Sequence, residues 1–228
     1  MLFVPFVTVD FNKLIDNYLK RESQPKAIGR YYPSEVGGCL RKVWYSYKFP
    51  KETDAGLLRV FEAGNILHDF VVKVLQSEKN PEVELLQSEL PFKFGIDDFI
   101  VSGRIDDVLL VKLSGKTYVV EVKSTSFLNN KNEPDEAHII QLQLYMHATG
   151  IHDGIMLYIE KNTLNSKTFY AVYDIEMVKH VLERFRLLNG YLKENILPEP
   201  EAKLSSKMGW MCKYCVYQNE CSENTMQA

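Results

Sequence analysis

The stretch from Gly103 to Lys123, GRIDDVLLVKLSGKTYVVEVK, limits the fold more than any other part of the chain. Two apolar-rich runs, Arg104 to Val111 and Thr117 to Lys123, flank a short polar turn at Ser114-Gly115, which predicts a β-hairpin. Side chains alternate along a strand. Val119, Glu121 and Lys123 therefore share one face, and Tyr118, Val120 and Val122 point to the other, into a core. A carboxylate and an ammonium side by side at the end of an apolar strand are costly to desolvate unless they pair or hold a metal. Asp106 and Asp107 point to opposite faces, so only one of them can join Glu121, and spacing alone does not choose between them.

Formal net charge is -3 and the pI about 6.0, so nucleic-acid binding needs a local basic patch. One candidate is Lys26 to Lys51, where Lys26, Arg30, Arg41, Lys42, Lys48 and Lys51 stand against Glu35 alone. Tyr31, Tyr32, Trp44, Tyr45 and Tyr47 are interleaved there and could stack on unpaired nucleotides. The competing reading is a surface loop and helix with snorkelling bases. Met1 to Val9 is apolar but short, lacks a basic start and meets Asp10 at once, and no apolar run is long enough to span a membrane. The expected compartment is the cytoplasm, with no membrane partner.

With 228 residues the chain can form one large domain, or one domain and an appendage. A short helix is expected over Phe11 to Lys20, a turn capped by Ser34, an interruption at Gly37-Gly38, and a helix from Cys39 to Tyr47. Gly56 to Gln76 carries the clearest helical periodicity, with His68 on or beside its apolar stripe; taken alone, His68 reads as a hydrogen-bonded core histidine. Val83 to Leu90 and Phe99 to Val101 read as strands ahead of the hairpin, and Phe127 to Glu133 as a polar connector. Pro134 opens a helix to about Thr149, on which His138, Gln141 and Tyr145 lie one turn apart. Strands over Gly154 to Glu160 and Lys167 to Tyr173 precede a long helix from Ile175 to Glu194 capped by Asp174, and Leu197 to Pro200 starts a linker. This order is α/β or α+β.

The four cysteines lie outside that core. Cys212, Cys215 and Cys221 form a C-x2-C-x5-C tail, and Cys39 lies far upstream. In a reducing compartment such spacing is that of metal ligands, and four thiolates suit zinc or an iron–sulfur cluster. Trp210, Met211, Tyr214, Val216 and Tyr217 are read as a shield around the metal, which favours the cluster. Either would staple the tail to the N-terminal segment.

Taken together, Gly103-x-x-Asp106, Glu121-x-Lys123 and Gln141-x-x-x-Tyr145 resemble the PD-(D/E)XK nuclease motifs of the RecB-like branch. His68, within Gly64-Asn65-Ile66-Leu67-His68, matches the upstream metal-binding histidine of that branch. Ser34 to Lys42 together with the three tail cysteines resembles its iron–sulfur version. The arrangement, from about Tyr31 to Cys221, is similar to the CRISPR-associated Cas-four nucleases and to stand-alone RecB-like proteins of archaea and their viruses.

The resemblance selects Asp106 over Asp107 and makes His68 a metal ligand. It implies Mn2+ or Mg2+ held by His68, Asp106, Glu121 and the carbonyl of Val122, with Lys123 orienting the attacking water and Gln141 and Tyr145 positioning Lys123 or the strand. It implies a cluster on Cys39, Cys212, Cys215 and Cys221, 4Fe-4S ahead of 2Fe-2S. The activity it implies is exonuclease cleavage of single-stranded DNA ends, preparing DNA for CRISPR spacer acquisition beside the integrase complex, with an oligomer possible. The alternatives are a stand-alone repair nuclease and a non-catalytic nucleic-acid-binding or redox-sensing metalloprotein. The organisation it implies is an N-terminal segment (1–55) with a DNA-contacting arch, a nuclease core (56–196) and a cysteine-rich tail (197–228). An additional upstream acidic residue has no single match; Glu89, Asp97 and Asp98 all qualify.

Overall fold

The computed structural model describes residues 9–21 and 25–223. Most of the apolar opening, Met1 to Val9, lies outside them. Helix α1 (Phe11–Leu19) packs on a later helix; strand β1 (Arg30–Tyr31), a 3-10 turn (Pro33–Glu35) and helix α2 (Leu40–Lys48) follow. Helix α3 (Ala55–Leu75) leads into β2 (Val83–Ile96), β3 (Phe99–Val111) and β4 (Lys116–Thr125). Helix α4 (Glu136–Thr149) crosses to β5 (Asp153–Glu160), which pairs with β4 in parallel and with β6 (Ser166–Val172) antiparallel. Helix α5 (Ile175–Lys193), α6 (Glu201–Leu204), a 3-10 turn (Gly209–Tyr214) and α7 (Gln218–Glu223) end the described chain.

The six strands form one mixed sheet, ordered β1-β3-β4-β5-β6 with β2 on the other edge of β3. The expected hairpin is present: β3 and β4 pair from Asp107↔Val120 to Val111↔Lys116 around the turn at Gly115, whose φ of 66° suits glycine. A second hairpin was not expected. The two short runs Phe99 to Val101 and Arg104 to Val111 are one strand, and Val83 to Leu90 continues through Pro91 to Ile96. Proline is tolerated because β2 is an edge strand that pairs with β3 alone.

The alternation inferred for β4 holds. Val119 packs with Leu142, Tyr145 and Met146 of α4, while Val120, Tyr118 and Val122 pack with Leu75 of α3 on the opposite face. The largest cluster joins Tyr31, Trp44, Tyr45 and Tyr47 of the N-terminal segment to Phe185, Leu188 and Leu192 of α5. Those four aromatics are therefore core, not a stacking surface. Arg41 is also buried, its Nε donating to the Pro198 carbonyl. Of the basic and aromatic segment, Lys26, Arg30, Lys42 and Lys51 remain open to solvent, with Tyr32 the one exposed ring of the five aromatics named. The stripe of α3 is only partly covered: Val71 is buried and Leu75 packs on the sheet, while Leu57, Phe61 and Val74 are exposed.

Among the described residues, no helix is long and apolar enough to cross a membrane.

Candidate active site

The ladder between β3 and β4 stops at Asp107, and the chain gives up a backbone pairing there for a side-chain one. The amide of Val122 donates to Asp106 Oδ2 at 2.8 Å, which pins the Asp106 carboxylate beside Glu121. Asp107, one residue on, faces α3, where its Oδ2 lies 3.2 Å from His68 Nε2. The two aspartates thus do opposite things, as strand alternation requires. Asp106 joins Glu121, and Asp107 orients the histidine.

Glu89 completes the group. It adopts φ 54°, a left-handed conformation that a non-glycine residue holds only under local constraint. Its Oε1 lies 3.3 Å from His68 Nδ1, and its Oε2 accepts from Arg104 at 2.7 Å. His68, Glu89 and Asp106 each offer a ligand atom, all within 4.8 Å of one another. Of the three upstream acids, Asp97 instead pairs with Arg186 and Asp98 with Lys193 and Asn189, on the far side of the second hairpin. No local sequence signal separates Glu89 from them. Its position depends on its own left-handed backbone and on the approach of α3.

The electrostatics fit a cation. Glu121 is fully buried, and burial, then the neighbouring Asp106, push its carboxyl up to about 8. Lys123 Nζ is in ion-pair contact with Glu121 Oε1, yet neither buried carboxylate oxygen receives a well-formed hydrogen bond. Asp106 is also raised by burial, against the Val122 amide. His68 is raised to about 9, mainly by the hydrogen bond to Asp107 and despite burial. A protonated imidazole among carboxylates that cannot all ionise is the charge pattern expected where a divalent cation belongs. Oxygen ligands with one imidazole suit Mn2+ or Mg2+. Asp107 behind His68 supplies the outer carboxylate that such a ligand needs to fix its tautomer.

Lys123 Nζ donates to Gln141 Oε1 at 3.3 Å, and Gln141 Nε2 donates to Tyr145 Oη at 2.6 Å. Tyr145 is buried and its phenol is raised far above the ordinary range, chiefly by burial and then by Glu121. Lys123, Gln141 and Tyr145 thus form a chain from the acidic cluster into the core of α4. His138, one turn earlier, faces Tyr158 at 2.8 Å instead; burial, then the charge of Lys123, lower it to about 4.

The four cysteines converge on a separate cavity. Cys39, Cys212, Cys215 and Cys221 line one cavity with Tyr45, Ala202, Met211 and Tyr217. The Cys212 thiol is raised by burial and then by the other three cysteines, against the charge of Lys203, and Arg41 reaches the Cys221 sulfur. The shield inferred from sequence is only partly present. Met211 and Tyr217 face the cysteines, whereas Trp210 and Tyr214, on the same 3-10 turn as Met211, and Val216 beyond it are exposed.

No curated protein matches the chain. Among solved structures, that titled SSO0001 superposes with a TM-score of 0.60 at 23% identity, over 90% of each chain. The alkaline exonuclease LHK-Exo from Laribacter hongkongensis superposes with a TM-score of 0.54 at 15% identity, over 78% of this chain and 96% of that one. A second structure of LHK-Exo, in complex with dAMP, superposes equally well. At these identities the likeness is one of fold. The profile of the PD-(D/E)XK nuclease superfamily matches residues 18–222, nearly the whole described chain, and the protein belongs to that superfamily.

Proposed function

We propose that the protein is a metal-dependent deoxyribonuclease that cuts single-stranded DNA from an end. The observation that carries this reading is the convergence of His68, Glu89, Asp106 and Glu121 from four elements beside Lys123. A bound divalent cation supplies Lewis-acid polarisation of the phosphate and a water of lowered pKa. His68, Glu89, Asp106 and Glu121 would hold it, together with the Val122 carbonyl. Lys123 leaves Glu121 to orient the water and to offset charge on the phosphate oxygens. Gln141 keeps that ammonium from swinging into solvent, and Tyr145 fixes the Gln141 amide. Asp107 holds the His68 ring.

The fold of the exonuclease neighbours supports action at ends. The gathered cysteines support a 4Fe-4S cluster, with zinc as the alternative, that ties the tail to the head of α2. Their arrangement supports the likeness to CRISPR-associated nucleases, and hence a role in trimming DNA before integration. End-labelled single-stranded DNA incubated with manganese tests the reading. Native protein should shorten it progressively and Lys123→Ala should not. Intact DNA with the native chain would leave a binding or redox-sensing protein.

A further inference from the structure

Strand β3 is longer than its partners on the β4 side. Since β2 occupies the other edge throughout, β1 at Ile100 and Val101 and β4 from Asp107 onward share this one. Residues 102–106 between them have no ladder partner there. Asp106 stands at one end of the opening. At the other, Arg30 Nε donates to Ser102 Oγ at 3.0 Å. The distance between the ends is roughly 13 Å at ~3.3 Å per strand residue.

A groove of 760 Å³ covers the part of this opening from Ser102 to Arg104 and reaches across β3 to Pro91, Phe92 and Lys93 of β2. Its walls carry Arg30, Lys93 and Arg104 and no carboxylate. Lys93 and Arg104 lie on one face, because Lys93 pairs with Ser102 and Arg104 with Pro91 across the hairpin. Arg104 joins the groove to the acidic site through Glu89. Lys93 has no acidic partner among the described residues. Arg30 lies 5.9 Å from the centroid of the Tyr32 ring, which is 37% exposed. A row of cations that ends at a metal-type site matches a phosphodiester backbone. An exposed ring braced by a guanidinium matches a base that has left its stack, which a duplex does not offer.

We infer that this groove binds the part of a single-stranded nucleic acid adjoining the scissile phosphate, with Lys93 and Arg30 on phosphates and Tyr32 stacked on a base. The identity of the ligand rests on the nuclease reading. The test is fluorescence anisotropy of a labelled oligothymidine in EDTA, where no cutting occurs. Arg30→Gln with Lys93→Gln should weaken binding roughly tenfold and make the slope of log K against log salt shallower by about 1.4, the loss of two phosphate contacts. Tyr32→Ala should weaken binding roughly 5- to 150-fold. Lys179→Gln on α5 should bind as the native chain does. Melting curves check that each variant is folded, and Lys93→Gln alone, an exposed side chain, should move affinity in the same direction. Unchanged affinity in the double variant and in Tyr32→Ala overturns the inference, as does a blunt duplex that competes as well as single strands. Binding that follows these expectations without manganese-dependent digestion keeps the groove and removes the nuclease reading.

Discussion

Lys123 and Glu121 show how two neighbouring groups divide stability and chemistry. Lys123→Ala should cut digestion by about 10²- to 10³-fold, the usual loss when a preorganised donor to developing charge is removed. The fold should survive, because Glu121 can take up a proton. Glu121 itself sets a pH dependence in the cation-free protein. Its folded-state pKa of about 8 lies above the ordinary 4.5, so the folded chain keeps a proton that the unfolded chain releases. Stability from this group falls as pH rises from about 4.5 towards 8. His68, raised from 6.5 to about 9, acts in the same direction: its contribution is full below 6.5 and lost as pH passes 9. Melting temperature without metal should therefore fall between pH 5 and pH 9, and Glu121→Gln should flatten much of that slope while abolishing digestion. A flat native profile would contradict the assignment. That Glu121 and Lys123 lie side by side was legible from strand alternation. Glu89 was not, since a positive φ and an approach from a distant helix leave no trace in local spacing. Alternation showed only that one of the two aspartates could join Glu121, the motif resemblance chose Asp106, and the grip of Asp107 on His68 depends on where α3 lies.

The elements were read with uneven success, for a physical reason. Helices with a cap and a period, such as α5 behind Asp174, stand out because both signals are local. The β2–β3 hairpin did not, because its two-residue turn at Asp97-Asp98 and its internal Pro91 both look like breaks until the strands pair. Helix α4 is held between the sheet and the N-terminal turn, and Gly37 fixes that contact. A Cβ there would come within 2.8 Å of the Ala137 backbone, whereas one at Gly38 meets nothing within 4 Å. Gly37→Ala should cost about 1–3 kcal/mol, the usual range for overpacking, and Gly38→Ala far less. Paired thermal melts check the difference. Since α4 also carries Gln141 and Tyr145, Gly37→Ala should slow digestion as well.

The molecule as a whole is tied at two places. At one, Arg184 of α5 donates to both Glu201 oxygens and to the carbonyls of Val36 and Gly38, so the linker after α5 is held against the N-terminal segment. Beside it, the cysteines bring residue 39 to residues 212–221. Cys39→Ser should lower bound iron or zinc in elemental analysis and lower the melting temperature, and broad visible absorbance in the native protein would favour iron–sulfur over zinc. The tail pattern announced this convergence, while its exposed neighbours show that apolar composition alone does not define a lid. The other tie is the acidic site, which exists only because α3, β2, β3 and β4 meet. Manganese titrated calorimetrically into metal-free protein at pH 8 tests that meeting most directly. The native chain and Lys123→Ala should both show saturable binding, and Glu89→Ala and Asp106→Ala should each weaken or abolish it. No binding by the native chain, or equal binding by Asp106→Ala, would contradict the account.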